Sequence, residues 1–151
     1  MRRLLFAAIM LAACTKNIPN TEIRDTPDTR AILDLIEKYR TAAERRDASA
    51  VMALVSMDYF DSAGTADPSD DLDYAGLAAA LPADYLKMPS VRFELTVKQI
   101  DVDGDKASAV LFYDTHFKVI TPRGEVARGD SDQSRMTFRK EKGAWKITSG
   151  L

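Results

Sequence analysis

The chain has 151 residues, enough for one ordinary domain and its core but too few for two. Its formal net charge is −2 and no long basic cluster interrupts it, so it lacks the footprint that phosphate backbones require, and nucleic acid is excluded as a partner. A single cysteine excludes any intramolecular disulfide, which leaves stability to the core alone.

Arg2 and Arg3 precede an uncharged apolar run from Leu4 to Ala13, the layout of a signal peptide. Ten residues at the helical rise span about 15 Å, roughly half the hydrocarbon core of a bilayer, too short for a permanent transmembrane helix. The run ends in Leu11, Ala12, Ala13, Cys14, which resembles the lipobox of bacterial lipoproteins. That resemblance implies removal of residues 1–13 and lipidation of Cys14, with the membrane as partner through the N-terminal lipid. Two or three acyl chains, at about 0.8 kcal/mol per buried methylene, make such anchoring stable. Thr15 in place of an Asp after the cysteine resembles the outer-membrane sorting pattern, so the expected location is the bacterial cell envelope, on the outer membrane facing the periplasm. Residues 14–28 mix Pro, Asn, Thr and charge without apolar periodicity, and read as the lipidated cysteine and a flexible tether reaching roughly 20 Å.

The folded part is expected over 29–151. Asp28 or Thr29 can cap a helix whose Ile32, Leu35, Ile36, Tyr39 and Ala43 form one apolar stripe. Asp47 looks like the cap of a shorter helix with Val51, Leu54 and Val55 inward. Residues 61–73, rich in Asp, Ser, Gly and Pro, read as a loop. Asp71 or Asp73 then starts a third helix bearing Tyr74, Leu77, Ala78 and Leu81, which Pro82 interrupts, with one further turn around Asp84 to Lys87.

From Val91 the period becomes two: Val91, Phe93, Leu95 and Val97 share a face opposite Arg92, Glu94, Thr96 and Lys98. The apolar parity then shifts to Ile100 and Val102, the arithmetic of a β-bulge near Lys98 or Gln99. Asp103, Gly104 and Asp105 turn the chain into a long strand from about Lys106 to Ile120. A third strand through Arg135 to Arg139 and a last one from Trp145 to Ser149 complete a meander. Helices first and a curved antiparallel sheet second mark the α+β class.

This order resembles the NTF2-like superfamily, which includes SnoaL-like polyketide cyclases and ketosteroid isomerases. The carrying residues are Ile36 to Asp47 with Tyr39 and the Arg46, Asp47 junction, Val51 to Phe60, the hairpin around Asp103, Gly104 and Asp105, and the closing Phe138, Arg139, Lys140, Gly143, Trp145, Lys146 and Ile147. The resemblance implies a cone, about three N-terminal helices packed on a curved antiparallel sheet, with a pocket at its open end. Tyr39, Tyr59, Phe60 and Trp145 are the expected pocket residues.

Ketosteroid isomerases use a carboxylate base and a hydroxyl donor. Tyr39, eight residues before Asp47, resembles the donor, although a core tyrosine would look the same. The corresponding base position falls on Ala63; Asp61 lies two residues off it, so the site reads as lacking its base. Asp114 and His116 share a strand face and form a second acid–base candidate, although the more consistently apolar opposite face of that strand favours a surface or interface pair. Asp67, Asp70, Asp71 and Asp73 lack the glycine and distal glutamate of a calcium loop, and no glycine-rich phosphate loop occurs, so neither metal nor cofactor is expected. The functional expectation is a non-catalytic envelope lipoprotein binding a small apolar ligand or a protein partner. The alternatives are an enzyme using Tyr39, Asp114 and His116, and a homodimeric scaffold pairing through Val110 and Phe112.

Overall fold

The computed structural model describes residues 16–151; the expected signal peptide and the expected lipidation at Cys14 fall outside the described residues. Element order is α1 (Pro27–Glu44), α2 (Ala48–Met52), β1 (Phe60–Asp61), β2 (Leu72–Asp73), α3 (Tyr74–Lys87), β3 (Ser90–Asp103), β4 (Lys106–Thr121), β5 (Gly124–Glu141) and β6 (Ala144–Ser149). Helices at the N-terminus pack on a curved antiparallel sheet of order β3-β4-β5-β6, the expected α+β architecture.

Helix α1 begins earlier than Asp28 or Thr29. Thr26 is its cap: the Thr26 hydroxyl accepts from the Thr29 amide at 3.1 Å, and the Thr29 hydroxyl accepts from the Thr26 amide at 3.0 Å. Pro27 fills the first helical position, where its missing N–H costs nothing. The supposed tether is likewise part of the fold from Lys16 onward. The Ile18 amide donates to the Ile23 carbonyl and the Asp25 amide to the Lys16 carbonyl, closing a small hairpin that seats Ile23, 2 % exposed, in the core. One aliphatic side chain at the right spot outweighed a polar, proline-containing composition.

Asp47 caps α2 through the Ala50 amide, and Asp73 caps α3 through the Gly76 amide. Pro82 does not end α3, which continues to Lys87. Proline removes one helical hydrogen bond, and here its ring lies on the exposed side of the helix.

In the sheet, β3 and β4 pair from Ser90↔Lys118 to Asp103↔Lys106 with a register shift between Val97 and Gln99. Lys98 is therefore the extra residue, and the bulge bends the sheet over α1. Strands β4 and β5 stay in register from Lys106↔Arg139 to Thr121↔Gly124, while β6 covers only Thr137 to Glu141 of β5. The core lies between α1 and the concave face. Ile32, Leu35 and Ile36 meet Ile100, Ala109, Leu111, Met136, Phe138 and Ile147 there. Burying each large aliphatic side chain contributes about 1.5–3 kcal/mol, which is what holds the helix in the cone. Among the described residues no helix is long and apolar enough to cross a membrane.

Candidate functional site

A cavity of about 570 Å³ opens where the curved sheet leaves the end of α1. Each wall follows from the pattern that built the fold. Tyr39 comes from the apolar stripe of α1, Phe93 and Leu95 from the inward parity of β3, Leu111 and Tyr113 from β4, and Met136 from β5. Ser149, Gly150 and Leu151 close one side, and Asp61, Ala63 and Gly64 form the rim beside them.

Three aromatic rings run along one wall. Tyr39 meets Phe93 edge-to-face, with centroids 6.0 Å apart and planes at 83°, and Phe93 stacks on Tyr113 at 6.4 Å and 22°. Phe93 is held from behind, since its amide donates to Glu44 Oε1 at 3.0 Å. Glu44 also accepts from Arg40, so one α1 carboxylate ties the helix to an otherwise open strand edge.

The Tyr39 hydroxyl has no hydrogen-bond partner among the described residues, and burial pushes its pKa well up from the ordinary phenol value. It stays a neutral donor and acceptor at every physiological pH. Tyr59, buried beside the cavity, is pushed up to about 12 chiefly by desolvation. The phenol of Tyr113 is also raised, by desolvation and then by Asp130, whose carboxylate accepts from it at 3.3 Å.

Asp61 is the residue that sequence reasoning passed over. Ala63 does line the cavity at the expected position, but the carboxylate beside it comes from Asp61. Its Oδ2 accepts from the Gly150 amide at 2.6 Å and from the Tyr59 hydroxyl at 3.4 Å, and its Oδ1 accepts from the Ala63 amide at 2.9 Å. Those bonds support a left-handed turn at Ala63 (φ 51°) and Gly64 (φ 72°). They also hold the 149–151 segment, together with the Leu151 amide on the Tyr59 hydroxyl at 3.3 Å. The signal available in sequence was Asp61 followed two residues later by Ala63 and Gly64, the spacing of a side chain capping its own turn.

The other expected residues fall elsewhere. Phe60 is 54 % exposed and outside the cavity. Trp145 is a core residue whose Nε1 donates to Asp28 under the start of α1, because inward parity on β6 points it at the helix rather than at the open end. Asp114 and His116 stand 3.4 Å apart with side chains 45 % and 69 % exposed, on the convex side of the sheet. They cannot act on a ligand in the cavity with Tyr39. Phe112 shares that convex face, flanked in register by Thr96 and Gln133. Among the described residues no cluster of His, Cys, Asp or Glu could hold a metal ion.

Comparison with solved structures agrees with this architecture. A protein from Kribbella flavida superposes with a TM-score of 0.68 at 13 % identity, covering 82 % of this chain and 87 % of that one. A conserved protein from Planctomyces limnophilus gives 0.68 at 16 %, covering 82 % and 98 %. A candidate dehydratase of the NTF2-like family from Streptomyces avermitilis gives 0.64 at 19 %, covering 82 % and 95 %. No curated protein matches the chain. The family model described as a SnoaL-like domain matches residues 32–150, from the apolar stripe of α1 to the segment that closes the cavity, and the chain belongs to that family.

Proposed function

We propose that the domain binds one small, largely apolar molecule in the cone and does so at the cell envelope, held to the membrane by lipid on Cys14. The observation that carries the ligand reading is Tyr39: a half-buried phenol on the wall of a largely apolar cavity, its hydroxyl without a hydrogen-bond partner among the described residues. A hydroxyl left open on such a wall can bond whatever enters, and a site built of apolar walls with a few convergent polar atoms is the usual form of a small-molecule pocket. The membrane reading rests on the arginines, apolar run and cysteine at the N-terminus.

Native mass spectrometry of the protein released from cells tests the first part. The expected result is a one-to-one small-molecule adduct that weakens in Tyr39→Phe by about tenfold, the value of one hydrogen bond in a dry site. Because no protein group depends on that hydroxyl, the same variant should change folding stability by less than about 0.5 kcal/mol. Absence of any adduct, with no chemical-shift response to apolar probes, overturns the ligand reading. Radiolabelled palmitate tests the anchor, which is abandoned if Cys14→Ser incorporates as much label as the native chain.

A catalytic reading is favoured by one observation, the Asp61 carboxylate in the same cavity as the Tyr39 phenol. It would make the pair a base and an oxyanion donor, the division of labour used in proton transfer next to a carbonyl. Against it, the Gly150 and Ala63 amides and the Tyr59 hydroxyl fix the Asp61 carboxylate in place as a brace of its turn and of the 149–151 segment, so it cannot swing to follow a proton between substrate atoms. Binding without turnover is therefore the better-supported function.

A further inference from the structure

We propose that the cavity selects its ligand by charge, taking a ring-sized apolar amine whose ammonium group meets Asp61 and rejecting carboxylates of the same shape. The inference rests on the small-ligand reading and names the chemical class of that ligand.

Asp61 and Arg135 are the charged residues at the cavity. Only the first turns its charge inward. Arg135 precedes the inward-facing Met136 on β5, and its Nη1 donates to Ser108 Oγ at 3.4 Å on the convex face. Among the described residues the cavity therefore carries a negative group at its rim with no cation turned toward it.

The three donors on Asp61 stabilise its charge without filling it, since an ionised carboxylate offers about four acceptor positions. An ammonium can use the remaining one in a charge-assisted hydrogen bond, whereas a ligand carboxylate would be buried against a like charge. The walls fit the same ligand. Tyr39, Phe93 and Tyr113 present consecutive aromatic rings, and ring faces attract cations and stack on apolar rings. Tyr39 adds a free phenol oxygen that accepts from N–H as readily as it donates.

Three matched probes separate the possibilities: 4-phenylbenzylamine, 4-phenylbenzyl alcohol and biphenyl-4-carboxylate. Each is titrated calorimetrically at pH 7 into the full chain in lipid nanodiscs, with empty nanodiscs as blank. The amine should bind at least tenfold more tightly than the carboxylate, with the alcohol between them. Asp61→Asn should bring amine and carboxylate within threefold of each other, and Phe93→Leu should weaken the amine more than the alcohol. Equal affinity of amine and carboxylate for the native chain overturns the charge selection but leaves a small-ligand pocket standing. Failure of all three to bind overturns both.

Discussion

Trp145 Nε1 donates to Asp28 Oδ1 at 2.9 Å, so the last strand is bonded to the first turn of the first helix. Lys140 Nζ donates to the same oxygen at 2.6 Å, and its ammonium lies 5.6 Å from the Trp145 ring centroid. A helix N-terminus favours a negative charge, so Asp28 serves the helix and the sheet together.

That arrangement sets a pH dependence. The Lys140 ammonium first, and the Trp145 N–H second, hold the Asp28 carboxyl below its ordinary value of 3.8. A carboxyl depressed in the folded state stabilises the fold above its unfolded pKa and loses that contribution as pH falls through the folded one. Asp28→Asn should therefore melt at a lower temperature than the native protein at pH 7. The difference should shrink as the pH is taken down from about 4 toward about 2. Thermal melts followed by circular dichroism across that window decide it; a gap that stays constant with pH would show that the charge is not the stabilising feature.

Gly150 and Gly143 both have positive φ, 94° and 87°, yet their substitutions should differ. A Cβ on Gly143 meets nothing within 4 Å, so Gly143→Ala should cost about 1 kcal/mol for the left-handed backbone alone. On Gly150 it would clash with the Arg135 carbonyl oxygen and the Met136 Cα, backbone that cannot turn aside. Gly150→Ala should cost about 2–4 kcal/mol in urea unfolding and disturb the cavity wall. Equal costs would mean that the 149–151 segment is not held where it lies.

Much of this fold was legible because the deciding signals are local and periodic. The parity change from Val97 to Ile100 announced the bulge, Asp47 announced the cap of α2, and the cap of α3 was narrowed to Asp71 or Asp73, of which the structure uses Asp73. Thr26 was missed because Asp28 is the better cap by type, and only the three-dimensional position of Trp145 and Lys140 gives Asp28 another task. Ile23 was hidden in a polar segment, where periodicity has nothing to count. Asp61 was the costlier omission. It sits in a stretch whose Asp, Ser and Gly content reads as solvent-facing loop, and only contacts 89 residues away, at Gly150, bring it to the cavity. Which side of a curved sheet faces the open end was also invisible, so Trp145 and Tyr39, both inward, were given the same role.

Asp114 and His116 offer a control for the assignment of chemistry to the concave side. Their 3.4 Å pairing is solvent-exposed, and exposed pairs contribute between about 0 and 1 kcal/mol. His116→Ala should change stability by less than about 0.5 kcal/mol and leave the affinity of any cavity ligand within twofold. A loss of binding in that variant would mean that the convex face, not the cone, carries the function.

The bulge makes the strongest prediction about how sequence shapes the site. Val97 pairs with Leu111, Gln99 with Val110 and Ile100 with Ala109, so Lys98 alone has no partner on β4. Deleting Lys98 would leave Val97, Gln99 and Ile100 as consecutive residues in strict alternation, with Val97 and Ile100 still inward and no register slip elsewhere. The deletion should therefore fold, at a cost of about 1–3 kcal/mol for lost packing. What it should lose is curvature, because a bulge bends its strand and increases local twist. Phe93 and Leu95 lie on the cavity side of that bend, so a straighter β3 would carry them away from Tyr39 and splay the walls. A structure of the deletion variant with the Tyr39–Phe93 edge contact intact, or unaltered ligand affinity, would show that the cone owes its shape to the helices instead.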